Sequence, residues 1–292
     1  MPNYLGIILA IVALFSWGFG DFFAQKISRK IGVWKSLFCM GLVGSVLLFS
    51  FVRNDLIYLS PSSDWSFLIL LGVIFVFATT FDSKALKEGK LSIIEPLIGI
   101  ELPITVGLSI ILGGESLSFT QSLSVLVVFI GIVLTMTTHL HHLKYHRRIF
   151  EKGVILAGVG AITMALTNFL IGISSQSISA IVTVWFADTL LLVVCGLYLI
   201  YRKELTGLWF DFRKEPGLLI MRSLSDNVGW ISFALATTLI PISIATTISE
   251  SYIILGVILG IFVNHERLRR NQFIGIVLVV GGILTLSALS VN

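Results

Sequence analysis

Residues 4–25, YLGIILAIVALFSWGFGDFFAQ, run into KISRKIGVWK at 26–35. The first stretch matches the ~20 residues that an α-helix needs to cross ~30 Å of hydrocarbon, and the second is a basic gap. The same alternation continues along the chain. Further apolar stretches fall at 36–52, 65–83, 91–112, 119–138, 153–174, 179–200, 217–239, 242–263 and 272–290. This pattern predicts an all-α integral membrane protein with ten transmembrane helices. Composition agrees: 12% of the residues are charged and 56% hydrophobic, whereas a soluble domain is about 25% charged. The longest hydrophilic stretches, His139–Lys152 and Arg202–Pro216, are loop-sized.

The basic residues fall in every second gap. Lys26, Arg29, Lys30 and Lys35 surround gap one, and Lys87 and Lys90 lie in gap three. Lys144, Arg147, Arg148 and Lys152 occupy gap five, Arg202, Lys203, Arg213 and Lys214 gap seven, and Arg267, Arg269 and Arg270 gap nine. The even gaps and both termini hold only Arg53. Basic loops stay on the cytoplasmic side, so this distribution predicts a multi-pass protein of the cell membrane with N- and C-termini outside. The net charge of +4 is thereby read as an orientation signal, with no nucleic-acid partner implied. The start MPNYLG lacks the basic region of a signal peptide, and no small-residue cleavage site follows, which predicts that span one is retained. Cys39 and Cys195 lie inside spans two and seven, where a thiol is a packing residue.

The connector 139–152 divides the spans five and five, giving halves at 1–138 and 153–292. Gly113-Gly114-Glu115-Ser116-Leu117 precedes the last helix of the first half, and Asn264-His265-Glu266-Arg267-Leu268 the last helix of the second. Trp17 to Phe23 lines up with the region Leu166 to Leu170, which sets Asn168 opposite Asp21. Five helices per half turn the second copy upside down, the inverted-repeat arrangement of many secondary transporters.

These residues also carry a family resemblance. The Trp17–Lys26 end of span one, Ala85 to Lys87 with its counterpart Ala234 to Ala236, and the turns at Glu115 and Glu266 resemble the EamA family of the drug/metabolite transporter superfamily. The resemblance covers the whole chain. It implies two inverted five-helix repeats, a central cavity between helices one, three, four, six, eight and nine, and transport of small metabolites. It also implies termini inside the cell for many members, opposite to the orientation that these loop charges predict.

Ionisable groups at mid-span cost at least ~2.5–3.5 kcal/mol and so mark pathways. Glu101 and Glu250 stand at nearly equivalent depths of spans four and nine, where an inverted repeat brings them together near the midplane. Ser243, Thr246, Thr247 and Glu250 share one helix face, as do Glu101, Thr105 and Ser109, so two polar stripes are expected across one cavity. Proton uptake and release at Glu250 or Glu101 would make the protein a proton-coupled carrier; the alternative is a structural hydrogen bond between helices. Arg222 and Asp226, four apart, are expected either to pair internally or to offer the guanidinium to a substrate carboxylate and the carboxylate to an amine. Asp21 one turn from Trp17, with Asn168 as its repeat counterpart, suits a cation or amine, although an interfacial pair with Lys26 is the competing reading. Lys84 and Asp82 near the end of span three have the same ambiguity. Trp230 and Tyr252 are expected to stack on a planar solute or to pack. Asp188 on span seven is expected outside the cavity.

His139, His141, His142 and His146 lie in the basic connector without a carboxylate or thiol set at ligand spacing, so no metal and no cofactor is expected. Pro96 and Pro103 interrupt span four beside Glu101. Gly256 to Gly260 and the glycines of spans five and ten permit close helix packing, within one chain or in a homodimer. The expected function is therefore a secondary active permease or exporter of a small metabolite such as an amino acid, working by alternating access in a monomer or homodimer. No Walker loop, GxSxG or HExxH occurs. An integral membrane enzyme, a channel or a scaffold are the alternative classes.

Overall fold

The computed structural model describes residues 2–53, 55–59, 63–88, 94, 97–136, 147–255 and 270–291. Among them the ten spans appear as α1 (Pro2–Ile31), α2 (Val33–Val52), α3 (Ser63–Glu88), α4 (Glu101–Ile111), α5 (Phe119–Met136), α6 (Arg147–Ser174), α7 (Ala180–Tyr201), α8 (Pro216–Thr237), α9 (Ile242–Ser249) and α10 (Arg270–Val291). Residues 139–146 of the connector with its histidines, Pro96, Glu266 and the Gly256–Gly260 stretch lie outside the described residues, whereas 147–152, expected as connector, open α6.

Several elements are shaped by identifiable residues. The apolar run Ile155–Tyr201 has 47 residues, far more than one crossing can hold. It divides after a π-helical turn at Ser175–Ser179, where Ser179 adopts extended backbone geometry. α8 is long enough to span but is less apolar, because Arg222, Ser223, Asp226 and Asn227 on it are buried in the protein rather than turned to lipid. α4 starts at Glu101 after tight turns in which Ile100 and Leu102 donate to the carbonyls of Leu97 and Gly99. Pro103 sits in its first turn, where a missing N–H costs nothing. α9 loses α-helical geometry at Glu250–Tyr252. There Thr247, Ser249 and Ser251 turn their hydroxyls back onto the carbonyls of Ser243, Thr246 and Thr247, which bends a helix. Arg202–Pro216 is not a plain loop: it contains a short surface helix, Leu208–Lys214. Lys35 to Asp211 (2.6 Å) and Lys30 to Glu215 (2.5 Å) tie that segment to α2 and α1.

Helix packing obeys a two-fold rule. α1 lies along α8 as α3 lies along α6; α3 meets α7 as α8 meets α2; α4 meets α6 as α9 meets α1. Three further pairs, α2 with α7, α4 with α9 and α5 with α10, join equivalent helices, while α1 also packs on α3 more closely than α6 does on α8. Exchanging the halves maps the paired contacts onto one another, as two inverted repeats require. Gly131 and Gly275 face each other's backbones, which lets α5 and α10 approach closely.

Glu115 joins the halves. Its carboxylate accepts the N–H groups of Ile242 and Ser243 at the start of α9, two donors without intrahelical partners. Glu115→Ala should therefore lower stability by about 1–2 kcal/mol, read as a lower denaturation midpoint in detergent, with Glu115→Gln retaining part of the loss. An unchanged midpoint in Glu115→Ala would contradict the cap.

Candidate functional site

The buried polar residues converge on one central cavity. α1 contributes Trp17 and Asp21, α3 Thr79 and Asp82, and α6 Met164 and Asn168. α8 contributes Arg222, Asp226 and Trp230, the bent α4 and α9 contribute Glu101, Glu250 and Tyr252, and Met40 enters from α2. The sequence expectations for Glu250, Glu101, Arg222, Asp226, Trp17, Asp21, Asn168, Trp230 and Tyr252 thus fall on a single cavity. Lys84 does not. Two positions along a helix turn a side chain about 200° from Asp82, so Lys84 instead lies 5.3 Å over the Trp34 ring. It lines a separate recess with Lys35, Lys87 and Glu88. Lys26 likewise sits over Phe22 at 4.0 Å, while Asp21 faces the cavity and is hydrogen-bonded to Tyr252.

The two carboxyls from equivalent helices meet. Glu101 and Glu250 lie within hydrogen-bonding reach of each other, and Asn168 Nδ2 donates to Glu250 Oε1 at 3.1 Å. Both glutamates are 2% exposed, and neither Oε2 receives a protein donor. Two ionised carboxylates cannot bond to each other, so a hydrogen bond across this contact requires one of the two to carry a proton. The polar stripes that carry them are buried as α4 packs on α9, although Thr105 spends its hydroxyl on the Ala165 carbonyl of α6.

Arg222 and Asp226 form an ion pair one turn apart on α8. Asp21 and Asp82 also act electrostatically on Arg222, so one cation stands among three acids. Arg222 Nε and Trp17 Nε1 are donors without acceptors, whereas Asn168 Oδ1, Glu101 Oε2 and Glu250 Oε2 are acceptors without donors. The unmatched donors come from α1 and α8, and the unmatched acceptors from α4, α6 and α9.

Aromatic and aliphatic side chains pack around the cavity. Trp17 packs edge-on to Trp230 at 4.9 Å, and Phe233 and Phe75 extend the cluster at 5.5 Å from Trp17 and 5.3 Å from Trp230. Gly229 makes room for the Trp17 indole, since any side chain there would strike it. Toward the basic gaps, Ala24, Leu86, Ile94, Ile98 and Ala157 form a smaller apolar cluster, of which Ile98 lines the cavity. The free volume between these layers is about 40 Å³, space for a few waters. A metabolite enters only if helices separate.

Thr79, Met164, Met40 and Ile98 were not legible as site residues in the sequence. For one of them a signal exists: the register that sets Asn168 opposite Asp21 also sets Met164 opposite Trp17. Among the described residues no group of three metal-ligating side chains occurs.

The model of the EamA-like transporter family matches residues 4–137 and again 151–288. An uncharacterised protein of Methanocaldococcus jannaschii, MJ1333.1, is 30% identical over 129 residues, which cover 44% of this chain and 93% of that protein. That relative therefore has about half the length of this chain. A crystal structure described only as that of a protein superposes with a TM-score of 0.74 at 13% identity, covering 98% of this chain and 96% of the other. At that identity the likeness concerns the fold alone.

Proposed function

The chain belongs to the EamA-like transporter family, a family of multi-pass membrane transporters, and from that premise we propose that it is a secondary carrier of a small zwitterionic, amino-acid-like solute. The observation that supports this reading is the segregation of unmatched groups within one cavity. Arg222 Nε and Trp17 Nε1 await a carboxylate, and Glu101, Glu250 and Asn168 offer acceptors to an amine. A buried donor or acceptor without a partner costs about 1–3 kcal/mol, so a solute that satisfies both ends recovers that cost on binding. Trp17, Trp230 and Tyr252 supply flat apolar surface between the two ends.

The proximity of the Glu101 and Glu250 carboxyls supports coupling through a proton shared between them. An amine approaching this pair replaces the proton as the neutralising charge, so solute and proton compete for one place. Competition of this kind yields antiport when each occupant alone permits the halves to reorient. Alternating access would then consist of the repeats rocking about the site, with the aromatic cluster around Trp17 and the apolar cluster around Ile98 parting in turn.

Binding is testable before transport. Among amino acids, their esters and their decarboxylated amines, the zwitterions should raise the melting temperature of the purified protein most, and Arg222→Lys should weaken stabilisation by the acids while sparing the esters. Equal stabilisation by esters and free acids would remove the carboxylate role of Arg222. The orientation with termini outside and basic loops in the cytoplasm rests on the loop charges. With Cys39 and Cys195 buried, a membrane-impermeant thiol reagent on intact cells should label Asp55→Cys, and should label Lys203→Cys only after permeabilisation. The reverse pattern would overturn this orientation.

A further inference from the structure

Asp188 on α7 is 1% exposed, and neither of its carboxyl oxygens has a hydrogen-bond partner. It does not line the central cavity. Across from it, on α8, Asn227 is 3% exposed and donates both amide hydrogens, to the Met40 carbonyl at 3.2 Å and to the Ser223 carbonyl at 2.9 Å. These two bonds fix the amide so that Oδ1 points the other way, and this oxygen too is unpartnered. Both acceptors crowd the bare Cα of Gly44 on α2, where a side chain would strike Asn227 Oδ1 and Asp188 Oδ2 together. Gly41, one turn earlier, brings the α2 backbone equally close to the Asp188 carbonyl and to Leu192.

Two buried acceptors facing each other without a donor repel unless something positive stands between them. A sodium ion would take five or six oxygens and space of its own. The crowding at Gly44 leaves neither, whereas a proton needs only two oxygens and no added volume. We propose that Asp188 and Asn227 form a second proton-binding site, in which the Asp188 carboxyl donates to Asn227 Oδ1 and thereby joins α7 to α8 behind α2. The charged groups nearest in sequence on α8, Arg222 and Asp226, face the central cavity. α2 presents Gly41, Gly44 and Ser45, with Ser45 already engaged by Trp185 and Thr189, and α3 meets α7 through Gly72 against Leu190. Among the described residues no charged side chain contributes to the surroundings of Asp188.

The site is tied to the cavity through one helix turn. Arg222 and Asp226 point into the cavity, and Asn227, one residue after Asp226, faces α2 and α7, so any movement of α8 that accompanies solute binding also moves the acceptor of this proton. The inference does not rest on the proposed substrate.

Infrared difference spectroscopy on the full-length protein in lipid tests it directly, without any solute. Asp188→Asn should remove a protonated-carboxyl C=O band that persists across the physiological pH range and that Glu101→Gln and Glu250→Gln leave in place. Asn227→Ala, with Asp188 intact, should move that band to higher frequency, because the acceptor is gone; this variant decides the question if Asp188→Asn does not fold. Loss of a carboxylate band instead, an unshifted band in Asn227→Ala, or stabilisation by sodium chloride over choline chloride that disappears in Asp188→Asn would each overturn the proposal, the last in favour of a sodium site. A failed transport assay with an intact band would count against the proposed function and leave this site standing.

Discussion

Arg222→Ala should destabilise the protein by about 3–5 kcal/mol, the penalty for stranding a buried charge. Three acids, Asp21, Asp82 and Asp226, depend on this one guanidinium inside a water-poor bundle. The loss should be unequal across the pair. Asp226→Ala leaves Arg222 with two other acids beside it, so its cost should be clearly smaller. Removing both should be less harmful than removing the arginine alone, and denaturant midpoints for the four proteins form a double-mutant cycle that reads this coupling. An Arg222→Ala midpoint within about 1 kcal/mol of wild type would mean that the ion pair is well solvated despite its burial.

The second large effect concerns the proton. Glu250→Gln preserves shape, and its amide can still donate to Glu101, but it cannot carry a proton that comes and goes. In liposomes a one-unit pH gradient is worth 1.36 kcal/mol per proton, about a tenfold solute gradient. Wild type should reach that ratio, and Glu250→Gln should fall to equal concentrations inside and outside while still exchanging labelled for unlabelled solute. Concentrative uptake or export by Glu250→Gln would remove the glutamate pair from coupling.

The ten spans were legible because lipid and length leave few solutions for stretches such as 4–25 or 272–290. The inverted pairing was legible only in outline. Glu101 and Glu250 were expected to meet from their depth alone, and they lie within reach of each other, even though α4 begins only at Glu101 and hydroxyl back-bonding bends α9. The bends do not follow from hydropathy, which is blind to Ser and Thr competing for backbone carbonyls. Lys84 was assigned to the cavity from its position near Asp82, whereas the turn of α3 sends the two residues to different sides. Met164 and Thr79 were hidden for the opposite reason: neither carries charge, and only the repeat register relates Met164 to Trp17. The unmatched acceptors at Asp188 and Asn227 required three dimensions altogether, since the residues belong to different helices and meet only where Gly44 lets them.

Proton release on binding tests the central claim most directly. The purified protein, in weakly buffered detergent with a pH indicator, is mixed with the solute that stabilises it most in the thermal screen. Wild type should release close to one proton per solute bound, and Glu250→Gln should bind the same solute with no release. Binding by wild type without proton release would contradict the account, because solute and proton would then not share the place between Glu101 and Glu250.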